Sequence, residues 1–193
     1  EIIFGYFPLG WHSILSSLFV FSPDQTTPFF NPRLISVWLT GAIAIGSAGL
    51  CQMLGGSRFW SWICGISFVL IPTQIEFGTS CYVQTWLTLI CICAAGVTYE
   101  KKSIWMGLCA GLAASAKYSG LFLCFLLCIT MIRKKERWKF LATMILVGAP
   151  FYIRNLWNKG NPLFPLAYSI FGGEGWDEAR AEGYAHTLQN YGM

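Results

Sequence analysis

The stretch Tyr152-Ile153-Arg154-Asn155-Leu156-Trp157-Asn158-Lys159-Gly160-Asn161-Pro162-Leu163-Phe164-Pro165 decides how this chain folds, because a long apolar run ends there. It combines cations, asparagines and aromatic side chains with two prolines. Because neither Asn-Pro nor a second proline three residues later can continue a helix, the chain is expected to leave regular structure here. One interpretation is a membrane-interface anchor, where Trp, Tyr, Lys and Arg gather. The other is the outer rim of a membrane-embedded site for an anionic, lipid-linked ligand.

The composition favours a polytopic helical membrane protein of the all-α class. Of the 193 residues, 55% are hydrophobic and 11% are charged, whereas soluble domains carry about 25% charged residues. Apolar runs of about 20 residues, separated by short charged clusters, are typical of transmembrane helices. The net charge of +4 sits in those clusters, so we expect the bilayer and not nucleic acid as a partner. The eight cysteines include no CxxC pair, so they are weak candidates as metal or redox ligands and are interpreted as small apolar fillers.

The chain divides into three segments of one partial transmembrane domain. Residues 1–33 are predicted to be an outer-face interfacial segment with a short helix over Leu9–Phe21, too short to span. Residues 34–153 form the transmembrane helices, and residues 154–193 form an outer-face loop and a polar helix. The predicted helices, including two of half length, are Leu34–Ser57, Phe59–Ile75 ending at Pro72, Thr79–Tyr99, Ile104–Ala116, Ser119–Ile132 and Phe140–Ile153, which is bent or stopped near Pro150.

The basic clusters fix the expected orientation. Residues 101–102 and 133–139 hold an excess of lysine and arginine, which places them on the cytoplasmic side. Since both clusters must share that side, the first of the two half-length helices between them is expected to enter the membrane and the second to return to the cytoplasmic side. Lys117-Tyr118 then lies at the apex of this helical hairpin. The loops at 22–33 and 73–79, and everything after Arg154, then face outward.

Lys117 is the strongest single indication of a ligand-binding site, and Tyr118 beside it is a second candidate for substrate binding. A lysine deep in a membrane costs roughly 2.5–3.5 kcal/mol, so it usually faces a cavity or an anion. Alternatively, Lys117 snorkels to the interface from the tip of a helix hairpin. Glu76 lies on the same outer side, where it could hold a metal, orient a sugar hydroxyl, pair with Arg154 or be a solvated loop charge.

Arg154 and Lys159 are suited to bind phosphate. Arginine offers a planar pair of N–H donors to the phosphate oxygens, and lysine offers a point charge. The remaining candidates are aromatic and polar side chains with weaker signals. Trp157 and Tyr152 could stack on a sugar ring or on Arg154, whereas the asparagines could orient sugar hydroxyls or cap the backbone. The asparagines are Asn155, Asn158 and Asn161, and two further hydrogen-bonding candidates, Tyr82 and Gln84, open the third span.

Taken together, these motifs resemble the GT-C superfamily of membrane glycosyltransferases, in particular the protein mannosyltransferase and aminoarabinose transferase branches. The matching runs are Tyr-Phe-Pro-Leu-Gly-Trp-His (6–12), Glu-Phe-Gly-Thr-Ser-Cys-Tyr-Val-Gln (76–84), Ala-Lys-Tyr-Ser-Gly (116–120) and the stretch at 152–165. The resemblance implies transfer of a sugar from a polyprenyl-phosphate donor to a lipid, glycan or protein hydroxyl. It also implies catalysis at the outer face of the bacterial inner (plasma) membrane.

The resemblance assigns lipid-phosphate contacts to Lys117 and Arg154. It places the catalytic acid in the first outer loop, which is expected to lie upstream of Glu1 because the chain is interpreted as an internal piece of a longer protein. Related sequences often carry an acid where this chain has Gln84, so a divalent metal stays an open question. A transporter or carrier for an anionic lipid or sugar is the alternative function, although it should show two related halves and no internal repeat is visible. A third possible function is that of a non-catalytic membrane scaffold.

Overall fold

The computed structural model describes residues 32–79 and 83–190. All regular structure in these two ranges is helical, which confirms the all-α prediction for them. The predicted helix at Leu9–Phe21, the rest of the interfacial segment and Tyr82 lie outside the described ranges. The helices are α1 Pro32–Met53, α2 Arg58–Val69, α3 Pro72–Thr79, α4 Val83–Tyr99, α5 Ser103–Ala116, α6 Gly120–Met131, α7 Arg137–Lys159, α8 Tyr168–Phe171 and α9 Glu178–Asn190.

Proline positions account for the main differences from the predicted boundaries. The second predicted span stops at Val69, and Pro72 begins α3 where we expected it to end a helix. A proline fits the first turn of a helix because the N–H that it lacks has no helical partner there. Pro150 lies inside α7, which continues without interruption to Lys159.

The helix at the decisive stretch therefore runs further than expected. Residues 152–159 are the last two turns of α7, and the chain leaves regular structure only at Gly160. Gly160 has a φ of +68°, the left-handed conformation that commonly ends helices and that glycine adopts without strain. The Asn161-Pro162 pair that follows prevents the helix from resuming.

Close contacts between helices establish their directions. A Cβ built on Gly46 of α1 would lie 3.0 Å from Ile92 of α4, and one on Gly96 of α4 would approach Met53, so α1 and α4 run parallel. In the same way, Gly107 approaches Phe140 and Gly111 approaches Val147, so α5 and α7 run parallel.

The helix directions divide the connections between two ends. The turns at 54–57, 100–102 and 132–136 meet at one end, which we call the basic end. At the other end, which we call the Arg154 end, lie α3, the turn at 117–119 and the chain after α7.

The helix at the centre of the core is α5, in which ten of fourteen residues are buried. Most of these side chains are small, so α4, α6 and α7 can approach its backbone closely. Gly107 and Gly111 of α5 are required by this packing, because a Cβ on either would lie within 3 Å of α7 backbone or side-chain atoms. The α5–α7 pair consequently fixes how Ala116 and its successors are placed against Arg154.

Two helices in the described ranges are long and apolar enough to cross a membrane, α1 over Leu34–Met53 and α7 over Arg137–Lys159. Only 22% and 17% of their most apolar windows are buried within the protein. The helices α4, α5 and α6 are apolar but have 17, 14 and 12 residues, which makes α5 about 21 Å long. Within the described ranges, the second predicted span is shorter than expected because the helix ends at Val69 and a new one begins at Pro72.

Candidate functional site

The turn between α5 and α6 brings Lys117 and Tyr118 to the Arg154 end. Lys117 is half-buried and ends α5 in an extended conformation, with a φ of −161°. The turn requires glycine at position 120, because a Cβ there would lie 1.9 Å from the carbonyl oxygen of Ala113. The sequence Lys-Tyr-Ser-Gly thus produces an abrupt reversal that leaves the lysine and the tyrosine at its apex.

Tyr118 links three parts of the site through its hydroxyl group. The hydroxyl donates a hydrogen bond of 2.6 Å to the carbonyl oxygen of Phe164, and it accepts one of 3.4 Å from the side-chain amide of Asn155. The buried Asn155 in turn accepts a hydrogen bond of 3.2 Å from Nη2 of Arg154. Arg154 also lies over the ring of Phe151, 5.9 Å from its centroid. Tyr118, Asn155 and Arg154, which we call the Arg154 cluster, are therefore one connected group.

A second group, formed by Lys159 and Asn161, holds the loop that follows α7. The buried Lys159 donates a hydrogen bond of 3.1 Å to the carbonyl oxygen of Glu174 and lies 5.7 Å from the ring centroid of Phe164. Asn161 is 0% exposed. Its amide nitrogen donates to the carbonyl oxygens of Leu166 and Gly172, each at 2.9 Å.

The side-chain oxygen of Asn161 accepts a third hydrogen bond, of 2.9 Å, from the N–H of Leu163. The polar atoms of this side chain are consequently committed to loop backbone. Phe164 packs edge to face on Trp176, with ring centroids 5.4 Å apart, and its peptide bond to Pro165 is cis. Both Lys159 and Asn161 thus fix the loop whose Phe164 carbonyl receives the Tyr118 hydroxyl.

A cavity of about 770 Å³ opens beyond this loop, between residues 165–172 and α9. Its wall includes the carboxylates of Glu178 and Glu182, four residues apart on one face of α9, and the rings of Tyr168 and Tyr184. Burial raises the pKa of Tyr184. We predicted only a polar, exposed helix or lid here and missed these residues, although the spacing of the two glutamates was a usable signal.

Tyr152 packs on the Arg154 cluster, whereas Trp157 and Glu76 are exposed. The ring centroid of Tyr152 is 6.2 Å from that of Tyr118, and its hydroxyl donates a hydrogen bond of 2.8 Å to the carbonyl oxygen of Ala114. Trp157 is 88% exposed on α7. Glu76 lies on α3, which belongs to the Arg154 end and packs against α1, α2 and α4.

Gln84 lies in a polar patch at the start of α4. Its side-chain oxygen is buried and has no hydrogen-bond partner among residues 32–79 and 83–190, as is also true of the hydroxyls of Ser36 and Thr85 and the amide nitrogen of Gln74. Within the described ranges, no three His, Cys, Asp or Glu side chains are grouped closely enough to hold a metal ion.

Comparison with known proteins identifies a family but no characterised relative. A family model described as a domain of unknown function, DUF8201, matches residues 2–180. No curated protein and no solved structure matches the chain.

Proposed function

Since this chain belongs to the DUF8201 family, described as a domain of unknown function, we propose a function from its own residues. We propose that it is a polytopic membrane glycosyltransferase of the GT-C type. It moves a sugar from a polyprenyl-phosphate donor to a lipid, glycan or protein hydroxyl at the outer face of the bacterial inner membrane. The observation that carries the proposal is the Arg154 cluster beside the half-buried Lys117 at one end of the helices.

An apolar exterior supports the membrane location. Large side chains on different helices face outward, including Trp38 of α1 at 77% exposed and Leu146 of α7 at 78%. Monomeric soluble proteins rarely expose large contiguous apolar patches, whereas transmembrane helices face lipid with such residues. The lysines and arginines at the basic end then identify the cytoplasmic side.

Helix lengths support a similar depth for both cations in the proposed membrane. Lys117 follows a 14-residue helix that starts at the basic end, so it lies about 21 Å along the bundle axis. Arg154 is 17 residues beyond Arg137, which is about 26 Å along α7. Because the hydrocarbon core is about 30 Å thick, both cations come to the outer part of the membrane. An unpaired lysine at that depth is costly, and an anionic ligand would compensate its charge.

The chemistry needs positive charge where the phosphate leaves the sugar. A guanidinium and an ammonium near the departing phosphate stabilise the negative charge that develops in the transition state. Asn155 holds Arg154 in orientation, and Tyr118 connects both to the loop at Phe164. The cavity of about 770 Å³ beyond that loop has the size of a small-molecule site, and its carboxylates and phenols suit sugar hydroxyls.

The test uses the full-length protein in membranes with a polyprenyl-phosphate-sugar donor. Lys117→Ala and Arg154→Ala should each lower the rate of transfer by roughly 100-fold, the typical effect of removing one transition-state donor. Arg133→Ala is the matched control, because it removes one exposed cation at the basic end and should leave transfer unchanged. Equal transfer by all three variants at equal abundance would refute the proposal, and movement of the intact lipid or sugar without transfer would favour a carrier.

A further inference from the structure

A second cavity, of about 480 Å³, lies at the basic end between α4, α5 and α6. Three lysines line it: Lys101 from the turn after α4, and Lys134 and Lys135 from the turn after α6. Its inner wall is apolar, with the side chains of Met106 and Met131. The cavity therefore combines a cationic mouth with an apolar interior, on the opposite side of the protein from the Arg154 cluster.

The charges around this cavity favour an anion. Glu136 is the one carboxylate in the cavity lining, which leaves a net charge of +2 against three lysines. It accepts a hydrogen bond of 2.5 Å from the hydroxyl of Ser103, and Lys139, which lies outside the lining, pairs with it at 2.8 Å and compensates its charge. The neighbouring Lys102 pairs with Glu100 and does not join the lining.

The backbone adds to the same preference. The first turn of α5 forms part of the wall through Ser103 and Met106, and the N–H groups at a helix start carry partial positive charge. Lys101 has a φ of +57°, at the position after α4 where glycine is the usual residue. This conformation ends α4, because the N–H groups of Lys101 and Lys102 then donate to the carbonyl oxygens of Thr98 and Val97.

We propose that this cavity binds the phosphate group of an anionic lipid of the cytoplasmic leaflet. The lysines take the phosphate, and the apolar interior with the exposed apolar helix surfaces receives the start of the acyl chains. Basic pockets between helices on the cytoplasmic side are typical sites for such headgroups. The inference depends on the membrane location proposed above but not on glycosyl transfer.

The experiment measures lipid binding to the purified full-length protein in detergent by native mass spectrometry and thermal shift. The probes are phosphatidylglycerol, the zwitterionic phosphatidylcholine, and inorganic phosphate alone. The double variant Lys134→Gln/Lys135→Gln removes two lining charges and keeps most of each apolar stem. The matched control, Arg58→Gln/Arg133→Gln, removes two charges from the same end that are not among the lining residues.

The unmodified protein and the control should bind phosphatidylglycerol at least about tenfold more tightly than the lysine variant does, with little binding of phosphatidylcholine. A lysine-dependent response to inorganic phosphate without binding of phosphatidylglycerol would overturn the lipid assignment and identify a soluble anion as the ligand. Equal binding of phosphatidylglycerol by the lysine variant and the control overturns the proposal. Because no transfer is measured, failure here would leave the function of the Arg154 cluster unaffected.

Discussion

Replacing Asn161 by alanine should release the loop that closes the Arg154 end. The substitution removes three hydrogen bonds of 2.9 Å from a fully buried position and leaves the N–H of Leu163 and the carbonyls of Leu166 and Gly172 without this partner. A hydrogen bond contributes about 1 kcal/mol net, so the loop should lose about 3 kcal/mol of stability. An effect of that size corresponds to an opening equilibrium shifted on the order of 100-fold.

Hydrogen exchange at the amide of Glu174 reports this opening without touching Asn161. That N–H donates to the carbonyl oxygen of Lys159 at 3.2 Å and closes the same loop, so its exchange should accelerate on the order of 100-fold in Asn161→Ala. Asn158→Ala is the control, since it makes the same chemical change on the exposed surface of α7 and should leave exchange unaltered. If the Glu174 amide exchanged at the same rate in both variants, Asn161 would not be the residue that holds the loop closed.

Two further predictions concern helix packing and charge. Gly107→Ala should destabilise the protein by about 1–3 kcal/mol in thermal unfolding, because its Cβ would lie 2.4 Å from the Phe140 carbonyl oxygen, whereas Gly41→Ala, with open space around it, should not. The hydrogen bonds from Lys139 and Ser103 hold the pKa of Glu136 below its ordinary value of 4.5. The contribution of Glu136 to the free energy of unfolding is therefore present above the pKa that this carboxyl has in the unfolded state. It is lost as the pH falls through the lower pKa of the folded state. Lys139→Ala should raise the titration midpoint of the Glu136 carboxyl carbon in NMR, and an unmoved midpoint would contradict this cause.

Local sequence signals predicted individual helices well where turn chemistry is unambiguous. The reversal at Lys117–Ser119 and the two half-length helices around it were expected, since a polar break interrupts an apolar run and a glycine follows. Pro72 was interpreted wrongly, because a proline can begin a helix as easily as end one. Of the two alternatives at Pro150, a bend or a stop, the helix does not stop, because a long apolar helix can accommodate a proline. Hydropathy also overestimated the length of the second span, since it does not register the break between α2 and α3.

The candidate site could be predicted only in part for a related reason. Arg154 and Tyr118 carry recognisable residue types, but their connection through Asn155 joins positions 37 residues apart and depends on how α5 packs on α7. Lys159 and Asn161 looked equally suited to a ligand from their types alone, and their contacts with loop backbone became visible only in three dimensions.

The amino-acid order by itself determined the helical character of the described chain, the clustering of cations and the departure from helix within residues 152–165. Periodicity, charge and backbone conformational limits act between near neighbours, so these properties are readable without a fold. Only the close parallel packing of α5 on α7 decided which polar side chains contact each other and which bond to the backbone. The glycines of α5 permit this packing, which brings distant segments of the chain to one end.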